Sequence, residues 1–265
     1  MRGAGKNGEK RDIVDVFPQP LPSPEYRGQA GQTPRVFCHK SRSLRLPSAT
    51  FACSSVRMTA FIPRGSTRFI LIALCPLLVL LAISHSVWNS GHDCYLFWRE
   101  WGNSHPAIFT TLWKSVTNWG NALAYVVYAM ILLWAIRKNS RDDLRLVLCY
   151  IAVQLVVTLL LTHVLKNLFG MPRPYTGEHL PQPWSFQAAY QSFPSGHTSE
   201  IVGAFLPLAV WRNRVGDAVL CGLWIAMVAY SRVYLGRHYL MDIWGGMAVG
   251  SLAALCILYF ARKRS

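Results

Sequence analysis

Three short stretches of this chain combine charged and imidazole side chains in a pattern suited to phosphate chemistry: residues 166–174, the tetrapeptide Pro194-Ser195-Gly196-His197, and residues 231–242. They supply Lys166, Arg173 and Arg232, together with His197, His238, Asp242 and a Ser-Gly turn, all at the mouths of strongly apolar runs. A Lys or Arg near hydrocarbon is costly unless it snorkels to the interface, pairs with an acid or binds an anion. Taken singly, each of the three cations reads as a snorkelling side chain. Grouped with two histidines and a carboxylate, they suit a clamp on the non-bridging oxygens of a phosphate: guanidinium offers a planar bidentate fork, and the lysine ammonium a point charge. Pro172 and Pro174 flank Arg173 and stiffen its loop, which limits the entropy lost when the guanidinium is positioned.

Ser195 stands where an extended segment turns into an apolar run, the place of a helix N-cap. Helix N-termini attract anions, so the Ser195 hydroxyl and the Gly196 amide are candidate neutral donors to the same phosphate, although a simple cap accounts for the pair as well. His238 and Asp242 are four apart and share one helix face. A carboxylate there holds Nδ1–H of the imidazole, leaves Nε2 unprotonated and nucleophilic, and stabilises the positive charge that phosphorylation of the ring creates. A helical H-x-x-x-D can also hold a metal, but a metal site wants three or more ligands free of surrounding cations, so none is expected here. His197 is the candidate general acid toward the leaving-group oxygen and then the base that activates water. The two histidines need opposite protonation states, and a bell-shaped pH profile follows.

The elements that must position these residues are membrane helices. The chain has 265 residues, of which 52% are hydrophobic and only 15% charged, and its mean hydropathy is positive; this is the composition of a polytopic membrane protein. The formal net charge of +15 falls between apolar runs and forms no single patch, which excludes nucleic acid as the expected partner. Ten Trp fit an aromatic belt at the interface. The seven Cys show no C-x-x-C pair and no zinc spacing, and no structural disulfide is expected. Against the need for about 20 apolar residues per crossing, six spans are expected, at 69–88, 122–136, 144–165, 197–211, 218–234 and 241–260, the second and fourth being the shortest. The Trp-rich segment 89–121 is expected to lie in the interface.

Residues 1–57 hold ten Lys or Arg, four acids and a run of prolines without an apolar period, and are read as a disordered basic extension. Either translation starts at Met58, or the extension is a targeting segment; residues 58–265 form the membrane domain. Eleven Lys and Arg (Arg64, Arg68, Arg137, Lys138, Arg141, Arg145, Arg212, Arg214, Arg262, Lys263 and Arg264) fall at one set of span ends, against Arg99, Lys114 and Arg237 at the other once the candidate site cations Lys166, Arg173 and Arg232 are set aside. The positive-inside rule then makes both termini cytoplasmic and puts all three site stretches on the outer face. The loop 175–193, with Trp184, Phe186, Tyr190 and Phe193, either lines the access route of a lipid or forms part of the belt.

The order K-x6-R-P, P-S-G-H, S-R-x5-H-x3-D, carried here by Lys166, Arg173 and Pro174, by Pro194 to His197, and by Ser231, Arg232, His238 and Asp242, resembles the type 2 phosphatidic acid phosphatase superfamily, which includes vanadium haloperoxidases and glucose-6-phosphatase. The resemblance covers residues 69–260. It implies an all-α, six-span bundle with His238 as nucleophile, Asp242 as its orienter, His197 as acid and base, and Lys166, Arg173, Arg232, Ser195 and Gly196 as phosphate ligands, with no metal or cofactor. The expected substrate is a lipid phosphate or diphosphate (phosphatidate, phosphatidylglycerol phosphate, undecaprenyl pyrophosphate or a lipid A 1-phosphate), and the expected place a bacterial inner membrane with the site facing the periplasm or exterior. A lipid phosphotransferase shares the first half-reaction. A haloperoxidase suits a lipid-facing site poorly, and a phospholipid binder would need the cations but neither histidine. Glu200, three residues after His197, departs from the family pattern: it is expected either to hydrogen-bond His197 and raise its basicity, or to face a polar cavity.

Overall fold

Backbone amides in long apolar runs have no water to bond and must satisfy one another, which only helices do within a single segment. The computed structural model describes residues 65–177 and 180–262; the expected extension 1–57 lies outside the described residues, as do Arg64, Lys263 and Arg264. Among the described residues the structure is all-helical, without strands: α1 (Ser66–Val87), α2 (Gly91–Ser104), α3 (Ala107–Lys138), α4 (Arg141–Val153), α5 (Thr162–Phe169), α6 (Gly196–Arg212), α7 (Val215–Tyr234) and α8 (Leu240–Ala261). A π-helical stretch, Gln154–Leu161, joins α4 to α5 in one rod, so the described residues form seven rods.

The ends of these rods follow local chemistry. Ser90 and Ser140 cap α2 and α4 by accepting from the backbone N–H of Asp93 and Asp143, and Asn139 and Asn213 close α3 and α6 in the left-handed conformation that Asn tolerates. Outward faces of the rods are apolar, with Leu71 and Ile83 on α1, Leu133 and Ile136 on α3, Leu148 on α4 and Leu252 on α8 exposed, as lipid-facing surface requires. Inward faces carry small residues that let backbones approach, the device by which helices pack when no hydrophobic difference drives them together. Gly246 and Gly250 of α8 lie against the carbonyls of Ser195 and Ser199 on α6; a Cβ at either would come within 2.6 Å of the oxygen.

Five helical segments among the described residues are long and apolar enough to cross a membrane. The expected fourth span, α6, has 17 residues, a length of about 25 Å against about 30 Å of hydrocarbon. It is the central helix: every residue from Thr198 to Ala209 except Glu200 is buried, and α1, α3, α7, α8 and the π stretch surround it. A helix packed in protein need not match the thickness of lipid. The segment 89–121 also differs from a single interfacial stretch. Only α2 lies apart from the spans, with Trp98 wedged against Tyr230 and Tyr234 of α7, whereas residues 107–121 extend α3 into a rod of 32 residues.

Gly246→Val is expected to lower both thermal stability and turnover. The new side chain must push α6 away from α8, overpacking that costs about 1–3 kcal/mol, and the displaced N-terminus of α6 carries His197. Thermal midpoint and phosphate release, measured on the same preparation, should fall together.

Candidate active site

One end of the bundle gathers the C-terminus of α5, the N-terminus of α6, the C-terminus of α7 and the N-terminus of α8. Lys166 stands in the last turn of α5, which Gly170 ends at φ +55°. The chain then folds back on itself through Gln182 N–H to Gly170 O (2.8 Å), Arg173 N–H to Ala189 O (2.9 Å) and Ser192 N–H to Met171 O (3.0 Å), which brings Arg173 over the start of α6. Arg232 comes from the last turn of α7. The turn that follows, with Gly236 at φ +61°, delivers His238 just before α8.

Neutral acceptors hold the three cations. Lys166 Nζ donates to Gln191 O at 2.9 Å, and Arg173 donates from Nη2 to the same carbonyl (3.3 Å), from Nε to Ala188 O (2.9 Å) and from Nη1 to Arg237 O (3.4 Å). Arg232 Nη1 donates to Thr117 Oγ1 of α3 at 2.8 Å, and its Nε has no protein partner. No acidic side chain forms an ion pair with any of them among the described residues. Their positive charge is therefore oriented but not cancelled, which is what an anion site requires.

His238 and Asp242 are each only 3% exposed. Nδ1 of His238 lies 3.3 Å from Asp242 Oδ2, which also accepts from the backbone N–H of Tyr239 at 2.9 Å and from the hydroxyl of Ser192. Asp242 thus caps the start of α8 and orients the imidazole with one oxygen. Its own carbonyl accepts from the N–H of Ser195 at 2.9 Å, tying the starts of α6 and α8 together. Burial pushes the His238 imidazole down from 6.5 to about 4, although the hydrogen bond and charge of Asp242 pull the other way. The ring is accordingly neutral near neutral pH. With Nδ1 engaged, Nε2 is left for the cavity.

That cavity, of about 530 Å³, is lined at this end by Lys166, Arg173, Gly196, His197, Arg232 and His238. Seven of the eight expected site residues therefore meet at one place: these six, with Asp242 directly behind His238. The eighth, Ser195, is fully buried. It is the N-cap of α6, its oxygen accepting from Thr198 Oγ1 (3.0 Å) and Thr198 N–H (3.5 Å), and it sets the direction in which Gly196 and His197 leave the loop. Glu200 lines the same cavity. Its carboxylate accepts from Asn121 Nδ2 at 2.6 Å and from the Tyr125 hydroxyl, both on α3, and makes no hydrogen bond to His197, so the polar-cavity alternative is the one realised.

Sequence reading missed Ser192, Thr117 and Gln191. Ser192 and Asp242 are 50 positions apart and Thr117 and Arg232 115 apart, pairings that no local period announces. Gln191 contributes a backbone carbonyl, which residue type does not reveal. In the loop 175–193, Trp184 and Phe186 are exposed while Tyr190 is buried, so its aromatics divide between surface and support of the site.

The PAP2 superfamily model matches residues 144–265, which contain all three motif stretches. The lipid A 1-phosphatase of Rhizobium johnstonii is 30% identical over 178 residues, 59% of this chain and 70% of that protein. The undecaprenyl-diphosphatase BcrC of Bacillus subtilis is 25% identical over 158 residues, 59% of this chain and 77% of its own. A solved structure, a transmembrane PAP2-type phosphatidylglycerolphosphate phosphatase from Bacillus subtilis, aligns over 74% of this chain and 93% of that one at 18% identity and a TM-score of 0.43. With a relative at 30% identity matched over 70% of its length and a superfamily match over residues 144–265, this chain belongs to the PAP2 superfamily.

Proposed function

We propose that this protein is an integral membrane phosphatase that removes a terminal phosphate from a lipid phosphomonoester or diphosphate through a phosphohistidine on His238, without a metal. The observation that carries the reading is the meeting, on one cavity wall, of three uncancelled cations with a neutral histidine that a buried carboxylate orients. In the first step His238 Nε2 attacks phosphorus and the bond from phosphorus to the leaving oxygen breaks, while His197 gives that oxygen its proton. In the second, His197 takes a proton from water as the water oxygen attacks phosphorus. The P–N bond breaks and its electron pair returns to Nε2. Lys166, Arg173 and Arg232 hold the equatorial oxygens through both steps, joined by the Gly196 amide at the N-terminus of α6. A binder would need the cations alone; a buried His–Asp pair beside them favours turnover.

With six crossings, α6 being the enclosed one, the start of α1 and the end of α8 lie opposite the site. The basic residues Arg68, Arg137, Lys138, Arg141, Arg145, Arg212, Arg214 and Arg262 belong to that opposite end, where α1 and α4 begin and α3, α6 and α8 finish. The positive-inside rule then supports a cytoplasmic location for them and an outward-facing site, in a bacterial membrane as the bacterial sources of the relatives support.

The test is phosphate release by the detergent-purified full chain, with EDTA present, from phosphatidate, phosphatidylglycerol phosphate, undecaprenyl pyrophosphate and lipid A 1-phosphate. Release that survives EDTA supports the reading. Release abolished by EDTA removes the metal-free mechanism, and release from none of the four removes hydrolysis and leaves transfer of the phosphoryl group to a second lipid to be assayed.

The pH profile provides an independent check. The folded value of His238, about 4, lies below its ordinary 6.5, so the nucleophile stays unprotonated until the pH approaches 4. The limb of kcat/KM that reports this group is expected near pH 4 rather than 6.5.

A further inference from the structure

From the phosphate site the cavity continues along α6 to Glu200, with Gln154, Thr158 and Thr162 of the π-helical rod on the facing wall. Beside them on the rod, at alternating positions, Ile151, Leu155 and Leu159 edge the cavity and are about half exposed, and Tyr125, Tyr150 and His163 complete the lining. The lining thus joins cations at one end to hydroxyl and amide groups with one carboxylate, bordered by aliphatic surface. Those are the surfaces that the phosphate, the hydroxylated head and the tails of a lipid phosphate need.

Glu200 dominates the middle layer. It is the one residue between Thr198 and Ala209 of the central helix that is not buried, and it lies one helical turn from His197. Two donors from α3 fix it, Asn121 Nδ2 on one oxygen and the Tyr125 hydroxyl on the other. Its carboxylate oxygens offer about four acceptor positions, so roughly two remain for a ligand. A second phosphate brought beside it, itself anionic and rich in acceptor oxygens, finds no donor there. Gln154 Oε1, Thr158 Oγ1 and Thr162 Oγ1 also lack a protein partner, and Thr158 and Thr162 are at least nine-tenths buried.

Resting on the phosphatase reading above, we infer that Glu200 is a specificity-determining residue: it accepts hydrogen bonds from hydroxyl or N–H groups on the moiety that bears the phosphate, and it disfavours a diphosphate. The substrate class is then a lipid phosphomonoester on a sugar or other hydroxylated head, not a prenyl diphosphate. Glu200 touches the departing part of the substrate and takes no proton in either step.

The experiment compares kcat/KM of the full chain in detergent for an acylated glucosamine 1-phosphate and for farnesyl diphosphate, in the wild type and in Glu200→Gln. A hydrogen bond to a charged group corresponds to about a 10- to 100-fold effect. The wild type should prefer the sugar phosphate by at least about tenfold, and the variant should lose most of that preference, falling on the sugar phosphate and rising on the diphosphate. Inhibition by inorganic phosphate, which reports the cation clamp, should be unchanged in the variant. A wild type that prefers the diphosphate, or a variant slowed by the same factor on both substrates, overturns the inference; equal slowing with a displaced pH limb would instead make Glu200 a proton-handling group. If the variant loses phosphate inhibition, the wild-type preference alone decides. Release from neither substrate by the wild type removes the phosphatase reading, and the specificity inference with it.

Discussion

His238→Ala is expected to abolish phosphate release from every lipid substrate while leaving phosphate binding in place. In the proposed mechanism the nucleophile is the one group without a substitute: His197, at the start of α6, is assigned as acid and base, and the cations donate but cannot attack. Loss of a covalent nucleophile that works as a unit with its neighbours costs at least about 10⁴-fold in kcat. Binding is separable because Lys166, Arg173 and Arg232 are anchored to Gln191, Ala188, Arg237 and Thr117 and not to the imidazole. Two measurements are needed. One is turnover together with inhibition by vanadate or phosphate; the other is trapping of labelled phosphoenzyme from a labelled lipid, whose acid-labile and alkali-stable label should appear in the wild type and be absent in the variant. Residual turnover above about 1% in the variant, or label retained in it, would assign the nucleophile elsewhere.

The second large effect is expected from Asp242→Asn, a nearly isosteric change. The carboxylate oxygen Oδ2 accepts from His238, from the Tyr239 N–H and from Ser192. An asparagine that turns its oxygen to the Tyr239 N–H cannot serve all three, and one that turns its NH₂ to the ring demands a lone pair on Nδ1. The ring proton then moves to Nε2, the atom that must attack. A wrong tautomer disables the nucleophile without removing it, for a loss of about 10²- to 10⁴-fold in kcat with little change in KM. Some stability is lost too, about 1–3 kcal/mol for a buried donor left without its acceptor, so the thermal midpoint should be recorded beside the kinetics. If kcat falls less than about tenfold, Asp242 acts only as the cap of α8.

His238 and Asp242 are both legible in the amino-acid sequence, and the reason is local: they are four residues apart across the start of one helix. Arg173 likewise sits between two prolines, and Ser195-Gly196-His197 begins a helix. In each case spacing fixes geometry over a few residues, where bond lengths and helix pitch leave little freedom. Hydrophobic length marks the rods in the same way, because a chain in hydrocarbon must satisfy its own amides. Composition excludes nucleic acid as the expected partner on equally simple grounds: the cations are dispersed among apolar runs.

Only the tertiary structure decided what depends on distant parts of the chain approaching one another. Thr117 meets Arg232 across 115 positions and Ser192 meets Asp242 across 50; no period in the sequence encodes such pairs, since they follow from which helices pack and at what height. The enclosure of α6 is of this kind, because apolar residues facing protein and apolar residues facing lipid read alike. Glu200 shows the difference most clearly. From sequence it is an acid one turn from His197 with two possible environments, and the packing of α3 against α6 turns it toward Asn121 and Tyr125. Sequence determined the phosphate chemistry of this protein, whose groups lie in short rigid motifs; tertiary packing decided what surrounds the phosphate, because that depends on the heights at which separate helices pack.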